Sequence, residues 1–213
     1  MNRSWRCIRL CEHSLVRNKR ETSMTGKKVI ITGVPGVGKT SVITESIRRL
    51  EEEGVPYQSI NFGTFMFEVA QKENIVKDRD EMRKLDKNSQ KRLQQLASQA
   101  IARIDGNIII DTHASVKTPV GFLAGLPEWV LKELKPDLII LVETDSDQIL
   151  KRRLSDTSRI RDIEGYQDIQ DHQDFNRAVA ASYAMLTGCT VRYIKNPDFL
   201  LEKAVEEMVQ VLR

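Results

Sequence analysis

The stretch Lys28-Val29-Ile30-Ile31-Thr32-Gly33-Val34-Pro35-Gly36-Val37-Gly38-Lys39-Thr40-Ser41 decides the fold. Its first five residues are a short run rich in β-branched side chains, the pattern of a strand buried on both faces. Gly33–Thr40 then matches G-x-x-x-x-G-K-[ST] at every constrained position. An amphipathic stretch, Lys39–Glu53, follows and stops at Gly54, as a helix does. Strand, glycine loop and helix in this order form a P-loop unit. Its glycines let successive N–H groups turn inward around a polyphosphate, and the start of the helix adds a partial positive charge. Gly33, Val34, Pro35, Gly36, Val37, Gly38, Lys39, Thr40 and Ser41 are therefore expected to bind ATP, with Lys39 neutralising the β- and γ-phosphates and Thr40 placing its hydroxyl on Mg²⁺.

Outward from this unit the chain alternates short apolar runs with helical stretches, which predicts an α/β P-loop fold: a five-stranded parallel sheet covered by helices on both faces. The expected strands are Lys28–Thr32, Tyr57–Asn61, Asn107–Asp111, Asp137–Val142 and Thr190–Ile194, the first, third and fourth central. The expected helices are Lys39–Glu53, Ser89–Ile104, Glu128–Leu134, Asp145–Leu154, Asp168–Leu186 and Asp198–Val211, with Gly54, Gly106, Pro136 and Gly188 as stop signals. On the helix from Asp168, Phe175, Val179, Tyr183 and Leu186 form an apolar stripe, read as core or, alternatively, as a subunit contact.

Composition narrows the function. A chain of 213 residues with 40% hydrophobic and 30% charged residues can bury one core without staples, and no run approaches the ~20 apolar residues of a membrane helix. The net charge of +3 arises in the first 23 residues, where six basic side chains stand against Glu12 and Glu21, so the body gives no electrostatic reason to expect nucleic acid as a partner. Cys7, Cys11 and Cys189 show no paired spacing, which suits a reducing, cytoplasmic setting, and Cys7, Cys11 and His13 lack a fourth ligand for a metal site. Residues 1–23 are expected to be a disordered extension or an over-called start, with the kinase domain over 24–213; an Arg-rich transit segment is the alternative.

Two further features bear on chemistry. Ile108-Ile109-Ile110 ends in Asp111, which brings a carboxylate to the edge of the sheet where the P-loop sits and makes it the expected Mg²⁺-holding acid; Glu143 after the next central strand competes for that role. Arg83, Lys117, Arg152, Arg153, Arg159 and Arg161 are candidates to meet a second anion, and Ser155–Gly165 is polar enough to close as a short lid. His113, close behind Asp111, is read either as a structural hydrogen bond in the loop or as a phosphate contact. No N-K-x-D sequence for guanine follows a strand, and a phosphate acceptor, unlike a hydroxyl, needs no general base.

Beyond the P-loop, the segments Asn61–Ala70 (NFGTFMFEVA), Lys77–Asp86 (KDRDEMRKLD), Asp111–Pro127 (DTHASVKTPVGFLAGLP), Leu141–Glu164 (LVETDSDQILKRRLSDTSRIRDIE) and Asp171–Gly188 (DHQDFNRAVAASYAMLTG) resemble the archaeal-type adenylate kinases, close to their methanogen branch. The resemblance spans Met24–Arg213 and implies a nucleoside monophosphate kinase-like fold, the reaction ATP + AMP ⇌ 2 ADP with Mg²⁺, the cytoplasm and a homotrimer. It also implies that Arg83 and Lys117 hold the AMP phosphate, that Arg153 bridges donor and acceptor phosphates, and that Arg159 and Arg161 come from the lid. Another nucleoside monophosphate or small-molecule kinase, and a partner-stimulated ATPase regulator, are the alternatives.

Overall fold

A computed structural model of the chain describes residues 26–155 and 165–213, with the side chain of Arg83 outside that description. The five expected strands form one sheet: β1 (Lys28–Thr32), β2 (Tyr57–Asn61), β3 (Asn107–Asp111), β6 (Leu138–Glu143) and β7 (Thr190–Lys195), in the order β2-β3-β1-β6-β7 and parallel throughout. The three near-continuous apolar runs occupy the middle, as expected, because only a central strand is covered on both faces. The edge strands β2 and β7 are mostly exposed, each burying one residue, Tyr57 and Ile194.

The chain leaves β1 toward β2 and β3 on one side and later returns to β6 and β7 on the other, so the carboxyl end of β1 is the point where strand order reverses. A crevice opens at such a point. Register puts Ile31 beside Asp111 and Thr32 beside Leu141, which brings the ends of β3 and β6 to either side of the loop that follows β1.

Alternate residues of β1 feed two apolar layers. Val29 and Ile31 pack with Val42, Leu50, Val205 and Met208 of α1 (Lys39–Glu52) and α8 (Leu201–Leu212). Ile30 packs with Ile101 of α4 (Lys87–Ala102), Val130 and Leu131 of α5 (Glu128–Leu134), and Ala180 and Tyr183 of α7 (Tyr166–Thr187). Burying one such side chain contributes roughly 1.5–3 kcal/mol, so these layers, rather than the surface ion pairs, hold the strands in register.

Three elements go beyond the expected set: α2 (Phe62–Lys72), α3 (Arg79–Lys84) and the hairpin β4 (Ser115–Thr118) with β5 (Gly121–Ala124). Side-chain caps mark the two helices. The Asn61 carbonyl oxygen accepts from the Thr64 amide, and the Asp78 carboxylate accepts from Asp80 and Glu81; Asp86 caps α4 in the same way. The hairpin turns at Pro119-Val120, with Gly121 at a φ of 127°. The remaining helix, α6 (Ser146–Ser155), leads to the segment proposed as a lid, of which 156–164 lie outside the described residues.

Candidate active site

The P-loop connects the end of β1 to α1. Gly38 is the N-cap of α1 at φ 86° and ψ 24°, and Gly36 has φ 98°. Both lie in the left-handed region that side chains with a Cβ disfavour. At Gly38 a Cβ would also stand 2.5 Å from the Asn196 amide nitrogen. Among the described residues the amides of Gly36, Gly38, Lys39, Thr40 and Ser41 have no protein acceptor; the first helical bond runs from Val42 to the Gly38 carbonyl. These donors and the helix start make a concave anion site.

The Lys39 ammonium lies 2.9 Å from Asp111 Oδ1 and donates to the Thr112 carbonyl at 2.8 Å. Burial lowers its pKa, and the Asp111 charge opposes that shift. Asp111 is itself oriented from the other side, since the Asn61 amide nitrogen donates to Oδ2 at 3.2 Å. Asp111 Oδ1 is buried and accepts no well-angled hydrogen bond, although it touches Lys39. Glu143, the competing acid, is held elsewhere. It is 3% exposed and takes two bonds from Arg177, 2.8 Å from Nε and 2.7 Å from a terminal nitrogen, with Lys195 3.7 Å away. The acid beside the P-loop lysine is therefore Asp111.

His113 lies within the electrostatic reach of the Gly33 backbone, Lys39 and Asp111. Its pKa is pushed down to about 4, first by desolvation and then by the Lys39 charge, with Asp111 pulling the other way. With its pKa lowered in this way, the imidazole of His113, an exposed residue, is neutral at neutral pH.

Arg152 and Arg153 both turn onto the P-loop. Arg152 reaches the Val37 carbonyl at 3.0 Å, the Asn196 carbonyl at 3.0 Å and the Asp198 carboxylate at 2.8 Å. Arg153 Nε donates to the Pro35 carbonyl at 2.8 Å. Lys117 lies on β4 and pairs at 2.7 Å with Asp168 in the first turn of α7, where Asp168 also accepts from the Gly165 amide. That pairing holds the Asp168 carboxyl below its usual range. Arg83 belongs to α3, and Arg159 and Arg161 lie outside the described residues. The described site thus brings together Gly33–Ser41, Asp111, Arg152 and Arg153, whereas Lys117 sits apart on the hairpin.

The hairpin is anchored to α7. Tyr183 donates to the Ala114 carbonyl at 2.7 Å and accepts from the Leu126 amide at 3.0 Å, while Phe122 stacks on Phe175 with centroids 4.5 Å apart. The stripe on α7 is core through Val179 and Tyr183 and hairpin contact through Phe175, but Leu186 is exposed.

Two site residues carried no assignment in the sequence: Asn61, which orients Asp111, and Asn196, whose amide nitrogen donates to the Val37 carbonyl at 2.8 Å. Each is an Asn at the carboxyl end of a parallel strand, the edge where ligands bind, which is the signal that could have found them.

Comparison with known proteins agrees with this geometry. The family described as an AAA domain matches residues 32–170. A curated adenylate kinase from Methanoculleus marisnigri is 65% identical over 192 residues, covering 89% of this chain and all of that one. Adenylate kinases from Methanocaldococcus jannaschii and Methanopyrus kandleri are 53% and 46% identical, each over 192 residues, with 89% and 88% of this chain and 100% and 98% of theirs covered. Among solved structures, a shikimate kinase from Acinetobacter baumannii in complex with shikimate superposes with a TM-score of 0.53 at 13% identity, covering 89% of this chain and 94% of that one. One from Bacteroides thetaiotaomicron gives 0.51 at 13% identity, with 87% and 98% covered, a likeness of fold alone. The chain belongs to the adenylate kinase family and is a phosphotransferase.

Proposed function

We propose that this protein transfers the terminal phosphoryl group of Mg-ATP to AMP, ATP + AMP ⇌ 2 ADP, at the P-loop between β1 and α1. The observation that carries the reading is the Lys39 ammonium, held 2.9 Å from Asp111 beside a loop of unpartnered amides, in a chain 65% identical to a curated adenylate kinase.

Phosphoryl transfer asks the protein chiefly for positioning and for charge opposite the equatorial oxygens of the transferring group. The amides of Gly36, Gly38, Lys39, Thr40 and Ser41 would grip the donor phosphates, and Lys39 would follow the charge as it moves from the β,γ-bridge toward the acceptor. An AMP phosphate oxygen is already an anion, so no side chain is required as a base. Arg83 and Lys117 are the residues that the resemblance assigns to the AMP phosphate; Lys117 would then exchange its exposed partner Asp168 for the acceptor. Arg153, Arg159 and Arg161 are assigned to the phosphates at closure, when exclusion of water keeps transfer from becoming hydrolysis.

The chain's own groups fit a magnesium ion carried by the nucleotide. Asp111 Oδ1 accepts no well-angled hydrogen bond, the Thr40 hydroxyl is exposed at the start of α1, and no group of three or more His, Cys, Asp or Glu side chains among the described residues builds an all-protein cage. A single carboxylate, a hydroxyl and substrate phosphates are the usual donors for this ion. Thr40 and Asp111 would hold magnesium, which would neutralise phosphate charge there.

The resemblance further implies a cytoplasmic homotrimer, while the charge distribution of the body gives no reason to expect nucleic acid as a partner. No described helix is long and apolar enough to cross a membrane. Val120, Leu123, Met185 and Leu186 are exposed apolar surface that a subunit contact would cover. Light scattering of the purified chain measures that mass directly.

The test of the activity is ADP formation from Mg-ATP with AMP, CMP, UMP, GMP or no acceptor. Turnover confined to AMP supports the proposal. Turnover with another monophosphate alone, or equal turnover with no acceptor, replaces it with a different kinase or an ATPase.

A further inference from the structure

A trans peptide is planar, with its C=O and N–H pointing to opposite sides. Whatever holds a loop carbonyl therefore aims the next residue's amide the other way. The P-loop has no cis peptide, and two of its alternate carbonyls are held from outside by adjacent residues of α6. Arg153 Nε donates to the Pro35 carbonyl at 2.8 Å, which fixes the Pro35–Gly36 peptide. Arg152 at 3.0 Å and the Asn196 amide at 2.8 Å both donate to the Val37 carbonyl, which fixes the Val37–Gly38 peptide. Neither the Gly36 nor the Gly38 amide has a protein acceptor among the described residues.

We infer that Arg152 and Arg153 are positioning residues that grip alternate P-loop carbonyls and thereby aim the Gly38 and Gly36 amides, respectively, at a polyphosphate. The inference rests on the phosphate-cradle reading of the P-loop and concerns how that cradle is kept in shape.

The need for such anchors follows from the glycines. Gly36 and Gly38 sit at φ 98° and 86°, and glycine peptides flip between orientations at little steric cost. Left to itself the loop would lose entropy on ordering around an anion; held beforehand, it presents donors that need no reorganisation. Packing agrees. A Cβ at Gly36 would stand 3.1 Å from Arg153 Cγ and 3.2 Å from Ile149, and one at Gly38 would meet Asn196 at 2.5 Å, so the anchors lie against the outer wall of the loop. Arg152 is itself held, because the Asp198 carboxylate and the Asn196 carbonyl take its Nε and its other terminal nitrogen. The loop after β7 is thereby tied to the P-loop through one guanidinium.

The test follows glycine amide signals of the full-length, nitrogen-15-labelled protein while inorganic tripolyphosphate, which has no base or ribose, is added. In the wild type both Gly36 and Gly38 should shift. R152M should lose most of the Gly38 response and keep that of Gly36; R153M should show the reverse. N196D, which replaces the second donor to Val37 by an acceptor, should act as R152M does and guards against a folding defect particular to the arginine change. Each variant should bind tripolyphosphate on the order of tenfold more weakly, the scale of one lost charged hydrogen bond. Wild-type responses retained at both glycines in all three variants, or lost equally at both in each, would overturn the inference while leaving the cradle intact. No response at either glycine in the wild type would remove the cradle itself and this inference with it.

Discussion

The Lys39 ammonium and the Asp111 carboxylate meet at 2.9 Å, from the start of α1 and the end of β3, with side-chain exposures of 11% and 19%. Neighbouring register of β1 and β3 makes the meeting possible, since Ile31 lies opposite Asp111 and the chain needs only the P-loop to bring Lys39 back over the sheet edge. The pair unites in one contact the cation proposed for the phosphates and the acid proposed for their metal.

K39A is expected to lower kcat by about 10²–10³-fold, the scale of a lost transition-state charge contact, with the fold retained. Asp111 keeps the Asn61 bond and partial access to water, so the unfolding midpoint should move little. Steady-state kinetics paired with thermal unfolding checks both halves; near wild-type turnover would remove Lys39 from the reaction.

Asn61 has two tasks, capping α2 through its oxygen and orienting Asp111 through its nitrogen. N61A should cost about 1 kcal/mol in stability, the usual worth of a cap. N61D keeps the cap oxygen but puts a second carboxylate beside Asp111. It should therefore retain most of the stability and raise the magnesium concentration needed for half-maximal rate in a different way from N61A. Urea unfolding and magnesium titrations of the two variants separate the tasks; identical behaviour in both assays would contradict the division.

Glu143 and Arg177 join the end of β6 to α7 through a two-bond pair around a carboxylate that is nearly wholly buried. R177M should destabilise by about 1–3 kcal/mol, below the usual cost of breaking a fully buried pair because the arginine is 39% exposed. Adding E143Q to R177M should recover most of that loss, since the charge left behind causes it. A double-mutant cycle in urea reads the coupling, and simple additivity would refute it.

The histidine in the loop supplies a pH dependence. His113 has a folded-state value near 4 against an ordinary value of 6.5, so between these the unfolded chain binds more protons. Its contribution to stability is then complete above about pH 6.5 and declines as pH falls toward 4. Compared with H113Q, the wild type should lose stability more steeply over that window and match its slope from pH 7 to 8. Parallel slopes at all pH values would mean that the ring titrates normally.

Much of this was legible beforehand because it depends on local pattern. Three isoleucine-rich or leucine-rich runs named the central strands, and the glycine spacing named the phosphate loop. Asp111 was recoverable from its place at the end of a buried strand. What was missed depends on partners distant in sequence. Arg152 and Arg153 were legible as candidates to meet a second anion, but only the packing of α6 over the P-loop reveals that they grip Val37 and Pro35. The hairpin carrying Lys117 was hidden because its two four-residue strands bury little of their own surface and are fixed chiefly by Tyr183 and Phe175 of α7. α2 went unread because Gly63 and the aromatic residues around it blur its helical period, and the cap at Asn61 is a side-chain contact.

The most direct measurement of the central claim starts from ADP alone. Phosphorus-31 NMR of the purified protein with magnesium and ADP should show ATP and AMP growing in equal amounts, with no inorganic phosphate, until the mixture stops changing. ADP that stays unchanged, or that yields AMP and inorganic phosphate without ATP, would contradict the account.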